Sequence, residues 1–232
     1  MDIKSHKRIN DILLAPLEKP ALQWLAARMP SWLFPDALTA IGVVGAVIIF
    51  AAYCSTNWDD RFLWLASFGF IVNWFGDALD GTLARYRKIQ RPKYGFFLDH
   101  TVDAFCQLLI VMGMGLSPYF SFSIACMGLI GYFMMSILVY IRTCVEGVFQ
   151  ISYAKIGPTE VRLILVGLNT AIYFLGNPQI ILPWGQTSPW DLFAATVAIV
   201  LISTFLISST KSAIELAQID PPPVAQSKDN AI

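Results

Sequence analysis

Charge is scarce in this sequence. Of 232 residues only 14% are Asp, Glu, Lys or Arg, against 56% hydrophobic, and the mean hydropathy is +0.59. So little charge argues against an ordinary soluble domain and against a disordered chain alike. The 16 basic and 16 acidic residues cancel, so no net field is offered to a nucleic acid. Histidine occurs twice, and the four cysteines (Cys54, Cys106, Cys126, Cys144) are scattered without a CxxC pair. That scarcity argues against a zinc site or a disulfide framework, and the cysteines read as small apolar residues.

Long apolar runs fill the space that charge leaves. Six segments, near 37–55, 63–86, 94–116, 119–141, 158–176 and 190–209, are long enough to cross a bilayer. The predicted fold is all-α: a bundle of six transmembrane helices. It is preceded by an amphipathic helix in the interface, where Leu22, Leu25 and Met29 share a stripe and Trp24 and Trp32 suit the headgroup zone. The layout is a cytosolic segment 1–34, a membrane domain 35–210 and a cytosolic tail 211–232. Basic residues set the orientation. Lys4, Lys7, Arg8, Lys19 and Arg28, then Arg85, Arg87, Lys88, Arg91 and Lys93, then Arg142, Lys155 and Arg162, then Lys211 and Lys228 all fall on one side. The opposite links hold only Arg61 beside Asp59 and Asp60, and Asp191. Both termini are therefore expected in the cytosol.

Against this background four carboxylates stand out. Asp77, Asp80, Asp99 and Asp103 are spaced by three, nineteen and four residues, at the facing ends of the second and third spans. Asp77, Asp80 and Ala84 share one helical face, and Gly95, Asp99 and Asp103 share another. The short link makes the two helices antiparallel, so the acids lie at one depth and are expected to gather around one cavity. Gly81, Ala84 and Gly95 remove bulk around them. Oxygen-only ligation suits Mg²⁺, Mn²⁺ or Ca²⁺, and two such ions are a common device for binding a pyrophosphate. Arg85 could add a phosphate contact. A salt-bridge network and a proton relay are the competing readings. A relay needs acids at several depths, whereas these cluster at one.

The pattern Asp77-x-x-Asp80-Gly81-x-x-Ala84-Arg85…Gly95-x-x-x-Asp99-x-x-x-Asp103 resembles the signature of the CDP-alcohol phosphotransferases, membrane enzymes of phospholipid synthesis. The link from Arg85 to Gly95 is one residue longer than in many members. The resemblance implies that an acceptor hydroxyl attacks the β-phosphorus of a CDP-linked donor and CMP leaves. It implies two Mg²⁺ or Mn²⁺ ions on Asp77, Asp80 and Asp99, with Asp103 a shared ligand or the general base. It makes Gly81, Ala84, Arg85 and Gly95 a nucleotide cradle, flanked by Pro35 and Thr39, in an enzyme that is typically a homodimer.

Members divide by substrate. Some join CDP-diacylglycerol to a small alcohol such as glycerol phosphate, serine or inositol phosphate. Others join a CDP-amino alcohol to a lipid hydroxyl. His100 after Asp99, and Gly157-Pro158-Thr159-Glu160, resemble elements of the choline and ethanolamine enzymes and favour the second type. Glu160 would then meet an ammonium group or assist proton removal. Arg142 and Arg162 instead suit an anionic acceptor. The expected partners are thus a CDP-linked donor, a lipid substrate and the surrounding membrane, with a bacterial inner membrane favoured by the compact chain. A cation transporter using the same acids is the rival from another class.

Overall fold

The computed structural model describes residues 7–9, 13–146, 148–150, 157–183 and 185–222. Lys4, Lys155, Lys228 and the last part of the expected tail lie outside the described residues. Seven helices dominate: α1 (Ala15–Arg28), α2 (Pro35–Ser55), α3 (Phe62–Tyr86), α4 (Pro92–Gly115), α5 (Phe122–Glu146), α6 (Pro158–Leu175) and α7 (Pro189–Ile219). Two pairs of three-residue strands accompany them. β1 (Lys7–Ile9) lies parallel to β2 (Val148–Gln150), and β3 (Ile180–Leu182) antiparallel to β4 (Gly185–Thr187).

Proline marks the starts. Pro35, Pro92, Pro158 and Pro189 each open a helix, where the missing N–H costs nothing and the fixed φ is already helical. Ser188 caps α7 by accepting from the Asp191 N–H at 3.0 Å. The six predicted spans correspond to α2–α7 within a few residues, except that α7 continues ten residues beyond 209 to Ile219.

Among the described residues five helices, α2, α3, α4, α5 and α7, are long and apolar enough to cross a membrane. The expected count of six is not reached on that measure. α6 occupies the place of the fifth predicted span, but Glu160 and Arg162 in its first turns and Asn169 in its middle dilute it. The N-terminal helix is present; the expected stripe of Leu22, Leu25 and Met29 packs inward against residues of α2 and α3, and apolar residues also occur outside it. Leu22 and Ala26 are buried, while Leu17 and Trp24 point outward.

α2 is the axis of the assembly. Both α3 and α4 pack along it more closely than along each other; α6 and α1 lie on α3, and α5 bridges α4 and α7. Lipid gives helices no hydrophobic reason to associate, so close backbone approach and polar contacts must hold them. Gly76 supplies the approach: a Cβ there would lie 2.3 Å from Gly42 N. Polar contacts cross the middle, where the Tyr53 hydroxyl donates to Asn169 Oδ1 at 2.7 Å and Asn169 Nδ2 donates to Ser67 Oγ at 3.2 Å. At the other end of α3, Arg87 donates to the carbonyls of Leu33, Met29 and Pro30, fixing the α1–α2 link. Ile71, Ile137, Leu163 and Ile207 are exposed, as lipid-facing residues are.

Candidate active site

The second half of α3 presents Asn73, Asp77 and Asp80 on one face, and the first half of α4 presents Asp99 and Asp103. Because both helices lean on α2, a wedge opens between them. Thr39 closes its α2 side. One small cavity is lined by Thr39, Asn73 and all four carboxylates. The convergence expected from helical phase is therefore present, and α2 joins it.

Three of the acids, Asp80, Asp77 and Asp99, have polar partners. Asp80 Oδ2 accepts from the Thr39 hydroxyl at 2.6 Å, and its Oδ1 accepts from the Gly81 N–H. Asp77 Oδ2 accepts from Arg162 Nη2 at 2.6 Å. His100 Nδ1 lies 3.5 Å from Asp99 Oδ2. Ligand atoms of Asp99, His100 and Asp103 all fall within 4.8 Å of one another. Four carboxylates around one cavity, with Arg162 the guanidinium bonded among them, leave an excess of negative charge that a cation would relieve. The donors are carboxylate oxygens, a hydroxyl and at most one imidazole, a set that fits hard dications.

The remaining predicted residues are placed as follows. A Cβ on Gly81 would lie 3.2 Å from Arg85 Nη1, so that glycine faces the arginine. Arg85 is exposed and its Nη2 donates to Thr82 Oγ1 at 3.1 Å. Ala84 is half-buried. Gly95 is exposed, with open space where a Cβ would stand. These four do not line the cavity: Gly81 directly follows Asp80, and Ala84, Arg85 and Gly95 stand about one helical turn nearer the helix ends. His100 packs its ring against Phe96 (centroids 4.2 Å apart) and Tyr140 (5.4 Å), toward α5. Arg142 is half-buried on α5, outside the cavity lining. Glu160 is buried, and its oxygens accept from the N–H groups of Leu14 (2.8 Å) and Gly157 (3.0 Å), so it holds α1 to α6. Arg162 enters the acid group itself.

Sequence reasoning missed three residues. Asn73 is buried; its Nδ2 donates to Gly42 O and its Oδ1 accepts from Arg162 Nε, both at 2.9 Å. Its position one turn before Asp77 on the same face was the available signal. Glu18 Oε1 accepts from Trp74 Nε1 at 2.9 Å and Thr159 Oγ1 at 2.6 Å, joining α1, α3 and α6. Asp36 takes Arg91 Nη2 on both oxygens at 2.6 Å, tying the start of α2 to that of α4. Neither contact has a periodic signature.

A larger cleft of about 720 Å³ lies at the opposite end of the bundle, beside Asp59, Asp60, Arg61 and Tyr173. Its acids serve local structure. Asp59 accepts from the Arg61 N–H at 2.8 Å and Asp60 from the Tyr119 hydroxyl. It is far along α3 from the four carboxylates and is not the site.

Known proteins resemble parts of this sequence. Residues 32–217 match the CDP-alcohol phosphatidyltransferase family. Cholinephosphotransferase 1 of Gallus gallus is 27% identical over 177 residues, which are 71% of this chain and 51% of the relative. Cholinephosphotransferase 1 of Homo sapiens is 25% identical over 189 residues, 75% of this chain and 44% of the relative. Phosphatidylinositol phosphate synthase of Cutibacterium acnes is 39% identical over 83 residues, 35% of this chain and 37% of the relative. The chain spans about half the length, or less, of these relatives. The family match runs from just before α2 to the last turn of α7 and contains every carboxylate of the cavity, and with its five long apolar helices this integral membrane chain belongs to the CDP-alcohol phosphatidyltransferase family.

Proposed function

We propose that this chain is a metal-dependent CDP-alcohol phosphotransferase of phospholipid synthesis. The observation that carries the reading is the meeting of Asp77, Asp80, Asp99 and Asp103 around one cavity. Asp77, Asp80 and Asp99 would hold two Mg²⁺ or Mn²⁺ ions, with Asp103 shared between them or acting as the base. When bound, such ions neutralise the diphosphate and stabilise the charge that develops during displacement. The chain's own groups do the rest. Asp103 takes the proton of the acceptor hydroxyl as that oxygen bonds to the β-phosphorus and the bond to CMP breaks. Thr39 fixes the Asp80 carboxylate. Gly81, Ala84, Arg85 and Gly95, nearer the helix ends, make room for the nucleotide and contact its phosphates.

The donor we favour is CDP-choline or CDP-ethanolamine, with a lipid hydroxyl as acceptor. Arg162 is engaged with Asp77 and Asn73, which argues against a standing cation for an anionic acceptor. The Asp99–His100 pair and the likeness to cholinephosphotransferases support the same choice. The second reading is CDP-diacylglycerol with a small polar alcohol, supported by the likeness to phosphatidylinositol phosphate synthase.

In this reading α6 crosses the membrane as a sixth span, with Arg162 and Asn169 turned to α2 and α3 and Thr159 and Glu160 to α1. Both termini then lie in the cytosol, consistent with the basic residues at that end. α1 lies in the interface, residues 35–210 form the catalytic membrane domain, and 1–34 and 211–232 flank it. The enzyme acts as a homodimer, in a bacterial inner membrane.

The test is CMP release. Purified chain is incubated with Mg²⁺ or Mn²⁺ and either CDP-choline or CDP-ethanolamine plus diacylglycerol, or CDP-diacylglycerol plus glycerol phosphate, serine or inositol phosphate. CMP with the first set is expected. CMP only with the second would transfer the assignment to the second reading. Ion flux in vesicles without CMP would replace the enzyme with a transporter.

A further inference from the structure

Arg162 reaches the carboxylates from α6. Its Nη2 donates to Asp77 Oδ2 at 2.6 Å and its Nε to Asn73 Oδ1 at 2.9 Å. The paired side chains are only 15% and 23% exposed. The guanidinium is also held from behind. Asn73 is anchored on the Gly42 carbonyl, and the start of α6 is anchored on α1 through Thr159 to Glu18 and Leu14 to Glu160. A pair braced in this way differs from a surface ion pair, which solvent and side-chain entropy largely dissolve.

Asp77 thus has two claims on it. A guanidinium occupies one lone pair of Oδ2 and places a positive charge beside the carboxylate. A divalent cation at Asp77 would draw on the same group and be repelled by that charge. We propose that Arg162 is a built-in competitor for the metal, a counter-ion that sets how tightly the site takes up a dication, with Asn73 as the residue that positions it. The inference rests on the reading of Asp77 as a metal ligand. It assigns Arg162 to the metal equilibrium and not to the acceptor.

The sign of the effect separates this role from a merely structural one. A competitor, once removed, leaves a more negative site, and metal binds more tightly. A brace that keeps Asp77 in a liganding rotamer, once removed, leaves a looser site, and metal binds more weakly.

The experiment uses the purified full chain in detergent micelles, titrated with Mn²⁺ alone, with unbound Mn²⁺ read by electron paramagnetic resonance. Arg162→Gln is expected to bind Mn²⁺ about tenfold more tightly than the unaltered chain, the scale on which a neighbouring unit charge acts. Arg162→Lys, which keeps the charge, should stay nearer the unaltered value. Arg162→Met keeps the packed stem and carries the same expectation as Gln, in case the Gln variant does not fold. Equal or weaker binding in the charge-free variants would overturn the proposal while leaving the metal reading intact. If the unaltered chain takes up no Mn²⁺, the metal reading and this inference fall together.

Discussion

The Thr39 hydroxyl donates to Asp80 Oδ2 at 2.6 Å and so joins the first turns of α2 to a carboxylate near the end of α3. Those residues are 41 apart in sequence. The contact is possible because α3 packs closely along α2, with Gly76 against Gly42. Thr39→Val keeps the shape and removes the donor. CMP release should fall about tenfold, the worth of one charge-assisted hydrogen bond. Thr39→Ser should recover most of it. Unchanged turnover in the Val variant would remove Thr39 from the site.

The carboxylates themselves carry a sharper expectation. Asp80→Asn or Asp99→Asn should lower CMP release by about a thousandfold or more, while the protein still elutes as one species in detergent. A chelator should abolish turnover and added Mg²⁺ or Mn²⁺ restore it. For Asp103→Asn the ratio of effects is informative: a base loses kcat with KM for the donor little changed, whereas a ligand loses donor affinity as well.

Two glycines make a matched pair. A methyl on Gly76 would meet Gly42 N at 2.3 Å and Leu38 O at 2.5 Å, both backbone. Gly76→Ala must push α2 from α3, and the cost should be about 1–3 kcal/mol, read as a lower unfolding temperature in detergent. Gly95→Ala meets nothing within 4 Å and lies inside α4, so its unfolding temperature should not fall. A loss of donor affinity in Gly95→Ala with intact stability would support the role of Gly95 in seating the nucleotide.

Glu160 offers a choice between two roles. Its oxygens already accept from the Leu14 and Gly157 N–H groups. Glu160→Ala leaves both donors unmet inside the protein and should destabilise it by about 1–3 kcal/mol. If Glu160 met the ammonium group of the donor instead, KM for CDP-choline would rise with no change in unfolding temperature.

Much of this architecture was legible beforehand because its signals are local. Proline at a helix start, apolar runs of bilayer length and acids at helical spacing each depend on neighbours in the chain. The match of α2–α7 to the six predicted segments follows from that. In α1 the stripe of Leu22, Leu25 and Met29 turns inward, but the opposite side also carries the apolar Leu17 and Trp24, so the contrast between its faces is weak. Asn73 shares a face with Asp77 and was open to the same reasoning. Glu18 and Asp36 were not, because their partners lie 141 and 55 residues away.

The chain alone pointed to two neighbouring helices whose four acids face one cavity, because helical phase follows from residue count. Only the tertiary structure decided what stands around them. It placed α2 as the common neighbour of α3 and α4, with Thr39 on Asp80, and it sent Arg162 into the group while turning Glu160 to hold α1. Those outcomes depend on which helix surfaces can approach one another, a matter of shape between distant segments that no local pattern encodes.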